Sequence, residues 1–467
     1  MLFSSIPFLY YFMPVVFAVY FALPRKFRNV VLLISSLFFY AYGEPIYVVL
    51  LVFSSMMDYV IGMIINKNRG QRKAKIALLC SIIINLGILG FFKYSDFVIA
   101  NINALLGVHI PLLHVPLPLG ISFYTFQTMS YSIDLYRNQA PIQKNPFDFA
   151  AYVSLFPQLI AGPIVRYKTI AEQMRGRTHT LDDFAKGATR FVIGLGKKVL
   201  IANTLGELNK VALASSDQSV LMYWLAIVGF MLQIYFDFSG YSDMAIGLSR
   251  CFGFHILENF NYPFIAKSIT EFWQRWHISM GTWFREYIYI PLGGNRVSKL
   301  KWVRNIAVVW FCTGLWHGAA WNFVAWGLYF GVLLSLEKLV ISKWLKKIPR
   351  VFQHLYTMFI IIISFVIFHL ETVSGIFGHL AGMFGLAGVS LFNAESLYYL
   401  GSYKFVLLIA LVGATPLLKN LILKARENPR LDTLIGILNP VFVVTLLLVV
   451  TAYLVNSSYN PFLYFRF

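Results

Sequence analysis

Charge is scarce in this chain. Only 13% of its 467 residues are Asp, Glu, Lys or Arg, roughly half of what soluble domains carry. Together with 58% hydrophobic residues and a mean hydropathy of +0.67, that shortage excludes an ordinary soluble globule. Cysteine is nearly missing too: Cys80, Cys251 and Cys312 are odd in number and lie in or beside apolar segments. They imply buried free thiols and no disulfide framework. No zinc-spaced cysteine pair, His-Glu-x-x-His pair, Gly-x-Ser-x-Gly elbow or phosphate-binding loop occurs. None of the 9 histidines has an aspartate five residues later, so the His-x4-Asp dyad of soluble acyltransferases is absent. A bound metal is therefore not expected, and a covalent serine or cysteine mechanism has no positive support. Nothing basic precedes the first apolar run and no small-residue cleavage site follows it, so no cleavable signal peptide is expected. There is no repeat, no low-complexity tract and no soluble domain at either end; the longest polar connection, about 166–185, is too short to be one.

What is present is a series of apolar runs. About 20 apolar residues cross a bilayer core as a helix, and the candidates are 7–23, 29–43, 45–65, 76–92, 187–205, 220–236, 306–325, 326–342, 354–370, 404–418 and 438–455. The stretches 97–135 and 148–165 are apolar but interrupted by proline, glycine and polar residues. The expected fold is an all-α polytopic membrane protein of about eleven spans with added re-entrant or interfacial helices. It forms one membrane domain over 1–467, with a core at about 30–340 and C-terminal spans over about 350–467.

The net charge of +19 suggests nucleic acid until its distribution is read. The basic residues form short clusters between apolar runs: Arg25, Lys26 and Arg28; Lys67, Arg69, Arg72, Lys73 and Lys75; Arg296, Lys299, Lys301 and Arg304; Lys343, Lys346, Lys347 and Arg350. The positive-inside rule accounts for this, with anionic headgroups of the membrane lipid as counter-charge and no nucleic-acid partner. Arg25–Arg28 inside puts the N-terminus outside, and two spans turning at Gly43-Glu44-Pro45 return the chain to the inside at Lys67–Lys75.

Four segments carry candidate chemistry. In the apolar run 306–340, His317 stands among Trp316, Gly318, Ala319 and Ala320. An ionisable group at mid-bilayer costs about 2.5–3.5 kcal/mol on insertion scales, so it faces a cavity or the bundle interior. The small residues Gly314, Gly318 and Ala320 let other helices approach. The alternative is a histidine that only bridges helices. Read as one helix ended by Pro291-Leu292-Gly293-Gly294, segment 268–296 sets Phe272, Trp276, Trp283 and Tyr287 in one stripe. Trp273, His277, Met280 and Phe284 lie beside it, and Glu271 and Arg275 form an i,i+4 pair. Arg275, Thr282 and Arg285 fall toward the opposite side. It either anchors at the interface or fills the interior beside a cavity. Asp237 and Asp243 flank Gly240 in segment 234–250; a helix break there would suit a cation site or a brace for a histidine, against plain salt bridging to arginines. Gln127 and Gln158 punctuate the apolar segments 121–136 and 156–167. Asp58 inside the third span reads as paired or near an end.

Together EFWQRWHISMGTWFREYIYIPLGGNR, LWHGAAWNFVAWG, GISFYTFQ, FPQLIAGPI and YFDFSGYSDMAIG resemble the membrane-bound O-acyltransferase family. The likeness is to its bacterial branch, whose members serve O-acetylation of alginate, peptidoglycan or cellulose and D-alanyl transfer to teichoic acids. It covers about residues 30–340. The resemblance implies tilted helices around a thin central funnel leading to a tunnel. It gives His317 the catalytic role and His277 that of the second polar residue, with Trp316 orienting His317. Arg275, Trp276, Arg285, Asp237, Asp243 and Gln127 fall on motif positions, as supporting or tunnel-lining residues. His317 would act as general base on an incoming hydroxyl, and His277 would donate to the acyl oxygen or orient the nucleophile.

The same resemblance implies acetyl-CoA, or another acyl thioester, as a cytoplasmic donor substrate, and no bound cofactor. It also implies a polysaccharide acceptor outside the bacterial cytoplasmic membrane and a separate extracytoplasmic partner of the SGNH acetyltransferase type. D-alanyl transfer from an acyl carrier fits the same two histidines. From a different class, a transporter or flippase for a lipid or sugar would use Asp58, Asp237, Asp243 and the broken segments; no inverted repeat supports it. A scaffolding subunit of a polysaccharide synthase is a third possibility.

Overall fold

The computed structural model describes residues 1–456. It is helical throughout, with no strand among the described residues. Each of the eleven apolar runs falls on helix, and seven of those helices are long and apolar enough to cross a bilayer. The far end of the expected C-terminal region, 457–467, lies outside the described residues. Contacts divide the chain into two compact units, one of Met1–Phe191 with Tyr241–Leu257, the other of Val192–Gly240 with the chain from Glu258 onward.

The first unit contains α1 (Phe8–Ala22), α2 (Arg28–Gly43), α3 (Val48–Lys67), α4 (Arg72–Leu106), α5 (Ile121–Tyr136), α6 (Pro146–Ser154), α7 (Tyr167–Arg175) and the start of α8 (Leu181–Gly196). The turn between α2 and α3 falls at Glu44-Pro45, as proline dictates. Helix α4 absorbs part of the interrupted stretch 97–135 and, at 35 residues, runs about 50 Å, well beyond the hydrocarbon core. Helix α5 is continuous, with Ile121–Leu135 buried. What it buries is polar on one side: Ser132 on α5 and Ser81 and Asn85 on α4 donate to the Asp58 carboxylate on α3. A buried carboxylate needs such donors, and Asp58 is paired, as its position in the sequence suggests. The polar connection after α6 is partly helical, because it contains α7 and the first residues of α8.

The second unit holds the end of α8, a π-helical turn Lys197–Ala202, α9 (Asn203–Ala214) and the first part of α10 (Val220–Cys251). Then come α11 (Ile269–Arg275), α12 (Ile278–Phe284) continued by a π-helical turn Arg285–Tyr289, and α13 (Lys299–His317). Last are α14 (Trp321–Leu345), α15 (Arg350–His369), α16 (Val373–Met383), α17 (Ala394–Gly413), α18 (Leu417–Arg426) and α19 (Pro429–Asn456). Helix α10 does not break at Gly240. A Cβ there would collide with the Gly194 carbonyl, so this glycine admits a neighbouring backbone instead of ending a helix. The expected pair of spans 306–325 and 326–342 also shifts: the chain leaves the helix at Gly318–Ala320, with Gly318 and Ala320 extended.

Candidate active site

The single amphipathic helix expected over 268–296 is two helices with His277 between them. His277 takes a left-handed conformation, φ 45°, which costs a non-glycine residue about 1–3 kcal/mol unless its surroundings impose it. Here they do. The segment Asn259–Asn261 runs alongside, with Asn261 N donating to Arg275 O at 2.9 Å and Ile278 N to Asn259 O at 2.9 Å. The Asn259 carboxamide oxygen also accepts from Ser279 N at 3.2 Å and Ser279 Oγ at 2.9 Å. Because that oxygen is an acceptor, His277 Nδ1, 3.1 Å from it, carries the proton, and Nε2 is the acceptor nitrogen of the neutral ring. The proposed continuous stripe therefore becomes two pairs: Phe272 stacks on Trp276 at 5.6 Å and Trp283 meets Tyr287 at 5.1 Å.

Helix α11 is fixed at its start. Ser268 Oγ accepts from Glu271 N, and the Glu271 carboxylate reaches back to Lys267 N, a variant of the capping box. The two earlier amides, Ile269 N and Thr270 N, donate to the buried carboxylate of Glu337 on α14 at 2.8 and 3.0 Å, joined by Thr270 Oγ1. Each early N–H of the helix thus has an acceptor.

His317 is the last residue of α13. Close crossing of α13 and α14 positions it: a Cβ on Gly314 would strike the Phe323 carbonyl, and one on Gly327 the Trp310 carbonyl. The imidazole, 2% exposed, meets Trp326 edge-to-face at 5.0 Å and Phe368 at 5.5 Å. The Trp316 indole lies 5.2 Å from His317 and 5.7 Å from His277. A single ring is thus shared by the two histidines, which come from separate segments.

His317 lines a chamber of about 20 Å³. Its other walls are apolar and aromatic, Trp273, Trp276, Trp326, Phe330, Phe365 and Phe368 among them, with Ser364 as the one further polar group. A second, larger cavity of about 420 Å³ has the size of a small-molecule site. It is lined by Thr270, Gln274, Thr282, Arg285 and Thr313 beside apolar groups of α13. Trp273 lines both cavities.

The other expected site residues divide. Trp276 walls the chamber and Arg285 the larger cavity. Arg275 pairs with Glu271 at 2.8 Å and donates to Asn261 O, so it braces the His277 segment from outside the cavities. Asp237 forms a buried ion pair with Lys198 at 2.7 Å. Asp243, in the first unit, pairs with Arg190 at 2.8 Å. Salt bridging is what both aspartates do here. Gln127 is buried on α5 in the first unit. Among the described residues no cluster of three or more His, Cys, Asp or Glu could hold a metal ion. The residues that sequence reasoning misses are Asn259, Trp326 and Glu337; the last has a visible signal, a lone acid late in an apolar run. With α10 unbroken and Asp58, Asp237 and Asp243 all engaged, the groups named for a transport pathway are structural partners.

The model of the membrane-bound O-acyltransferase family matches residues 137–377. A protein of Azotobacter vinelandii named as a probable alginate O-acetylase is 42% identical over 82% of this chain and 78% of its own length. The peptidoglycan O-acetyltransferase of Helicobacter pylori is 37% identical over 84% of this chain and 81% of its own. A teichoic acid D-alanyltransferase of Bacillus subtilis is 31% identical over 49% and 60%. With seven helices able to cross a bilayer and relatives aligned along most of its length, the chain belongs to the membrane-bound O-acyltransferase family, a multi-pass membrane enzyme that transfers acyl groups to oxygen.

Proposed function

We propose that the chain is the membrane subunit that moves an acetyl group from a cytoplasmic thioester, acetyl-CoA, toward O-acetylation of an extracytoplasmic polysaccharide. The observation that supports this reading is the Trp316 ring, which lies 5.7 Å from His277, a residue lining neither cavity, and 5.2 Å from His317, which lines the small chamber. His317 takes the proton of the incoming hydroxyl as that oxygen bonds to the acyl carbon. The C–S bond breaks and the proton passes to the departing thiolate. Positioned general bases contribute about 10²–10⁴ in rate. Since His277 gives Nδ1–H to Asn259, its Nε2 suits orienting the hydroxyl rather than donating to the acyl oxygen.

Chamber size favours acetyl over D-alanyl transfer. About 20 Å³ holds little more than one water-sized group, which a methyl fills and a D-alanyl group, with both a methyl and an ammonium on its α-carbon, exceeds. Alginate and peptidoglycan O-acetylation, named for relatives, point to a polysaccharide acceptor, and a separate extracytoplasmic protein of the SGNH type would complete the transfer. An N-terminus outside the bacterial cytoplasmic membrane agrees with the N-terminal amine lying 3.5 Å from Phe39 O, near the same end of α2 as the Glu44 turn.

The test is transfer of label from acetyl-CoA into polymer in membranes of wild type and His317→Ala. Loss of transfer with the variant still folded and membrane-embedded is expected; near-normal acetylation would refute the role. Loss of polymer export with acetylation chemistry intact would favour a transporter instead.

A further inference from the structure

The His317 chamber and the larger cavity differ about twentyfold in volume, at about 20 and 420 Å³, and one side chain borders both. Trp273, on α11, packs edge-to-face on Trp310 at 4.6 Å, Phe330 at 4.9 Å and Trp326 at 5.5 Å. Its indole N–H is buried and makes no hydrogen bond, so packing holds it in place. We propose that Trp273 is the partial partition that sets the length of the acyl group: it narrows the way from the larger cavity to the His317 chamber and leaves room at the imidazole only for a short acyl chain. This rests on the reading above, with His317 as the base and the thioester arm entering through the larger cavity.

The physical case is one of space. A reacting acyl carbon must come within roughly 3–3.5 Å of the attacking oxygen, which places the rest of the acyl chain inside the chamber. There a methyl group fits. A chain of four carbons meets Trp326, Phe330, Phe365 and Phe368, whose packing cannot shift without strain. Polar groups on the other side, Thr270, Gln274, Thr282 and Arg285, suit an amide-rich thioester arm. Removing the indole would add its own volume to the His317 chamber and give a longer chain somewhere to lie beside the thioester arm.

The experiment compares label transfer from acetyl-, propionyl- and butyryl-CoA in membranes carrying full-length wild type, Trp273→Leu or Trp273→Ala, each also in a His317→Ala background. Discrimination against butyryl should fall by about tenfold or more for each methylene newly accommodated, less in Trp273→Leu than in Trp273→Ala. A variant that still transfers acetyl with an unchanged preference overturns the partition. If Trp273→Ala fails to accumulate, Trp273→Leu decides by the same criterion. Butyryl transfer that survives His317→Ala would sink the catalytic reading instead, whatever the chain-length profile.

Discussion

At the scale of single residues, protonation states follow from who donates to whom, and His179 shows it most clearly. It lies in the polar segment between α7 and α8, outside the spans. Arg28 donates to its Nδ1 at 2.9 Å, so the neutral ring carries its proton on Nε2, facing Tyr20 Oη at 2.8 Å and the Phe252 carbonyl at 3.1 Å. Partial burial, then the guanidinium groups of Arg28, Arg177 and Arg25, lower its pKa from 6.5 to about 4. The unfolded chain then binds the proton more readily than the folded one between those values. Stability from this group is full above pH 6.5 and is lost as pH falls toward 4. Melting temperatures in detergent should therefore drop across that window, and the drop should be smaller in His179→Asn. An identical pH profile for the two proteins would remove His179 from the account.

At the scale of elements, Glu337 is the tie between α14 and the start of α11. Glu337→Gln replaces one acceptor oxygen by an amide donor facing donors already there. A lost or mismatched buried hydrogen bond costs about 1–3 kcal/mol, so the variant should melt earlier in detergent and lose transfer activity. Unchanged melting would show the tie to be dispensable. This scale also separates what the sequence reveals from what it hides. Apolar runs of span length announce their helices, because lipid leaves the backbone no alternative. The two histidines stand out as rare polar groups in aromatic surroundings. The turn at His277 does not, since Arg275-Trp276-His277-Ile278 contains neither glycine nor proline. It is imposed by Asn259–Asn261, a segment remote in sequence, and so is the tautomer of His277. The exit from α13 after His317 is likewise hidden in an unbroken apolar run. The two cavities that meet at Trp273 exist only once α11, α13, α14 and α15 have packed.

For the whole molecule, the proposed N-terminus outside rests on the basic clusters and the helix order. With native cysteines replaced, Ile46→Cys, exposed in the turn after α2, should react with a membrane-impermeant maleimide on intact cells. Arg69→Cys should react only after permeabilisation. The reverse pattern would invert the topology. The ion pair between Lys198 and Asp237, both 2–3% exposed, adds a consequence for biogenesis. Each charge alone costs about 2.5–3.5 kcal/mol to leave in the bilayer interior, and the two belong to consecutive hydrophobic segments of the nascent chain. The earlier segment is therefore poorly retained by itself. The two segments are expected to enter the lipid together as a neutral hairpin, and Asp237→Ala alone should lower insertion of the earlier segment more than Asp237→Ala with Lys198→Ala.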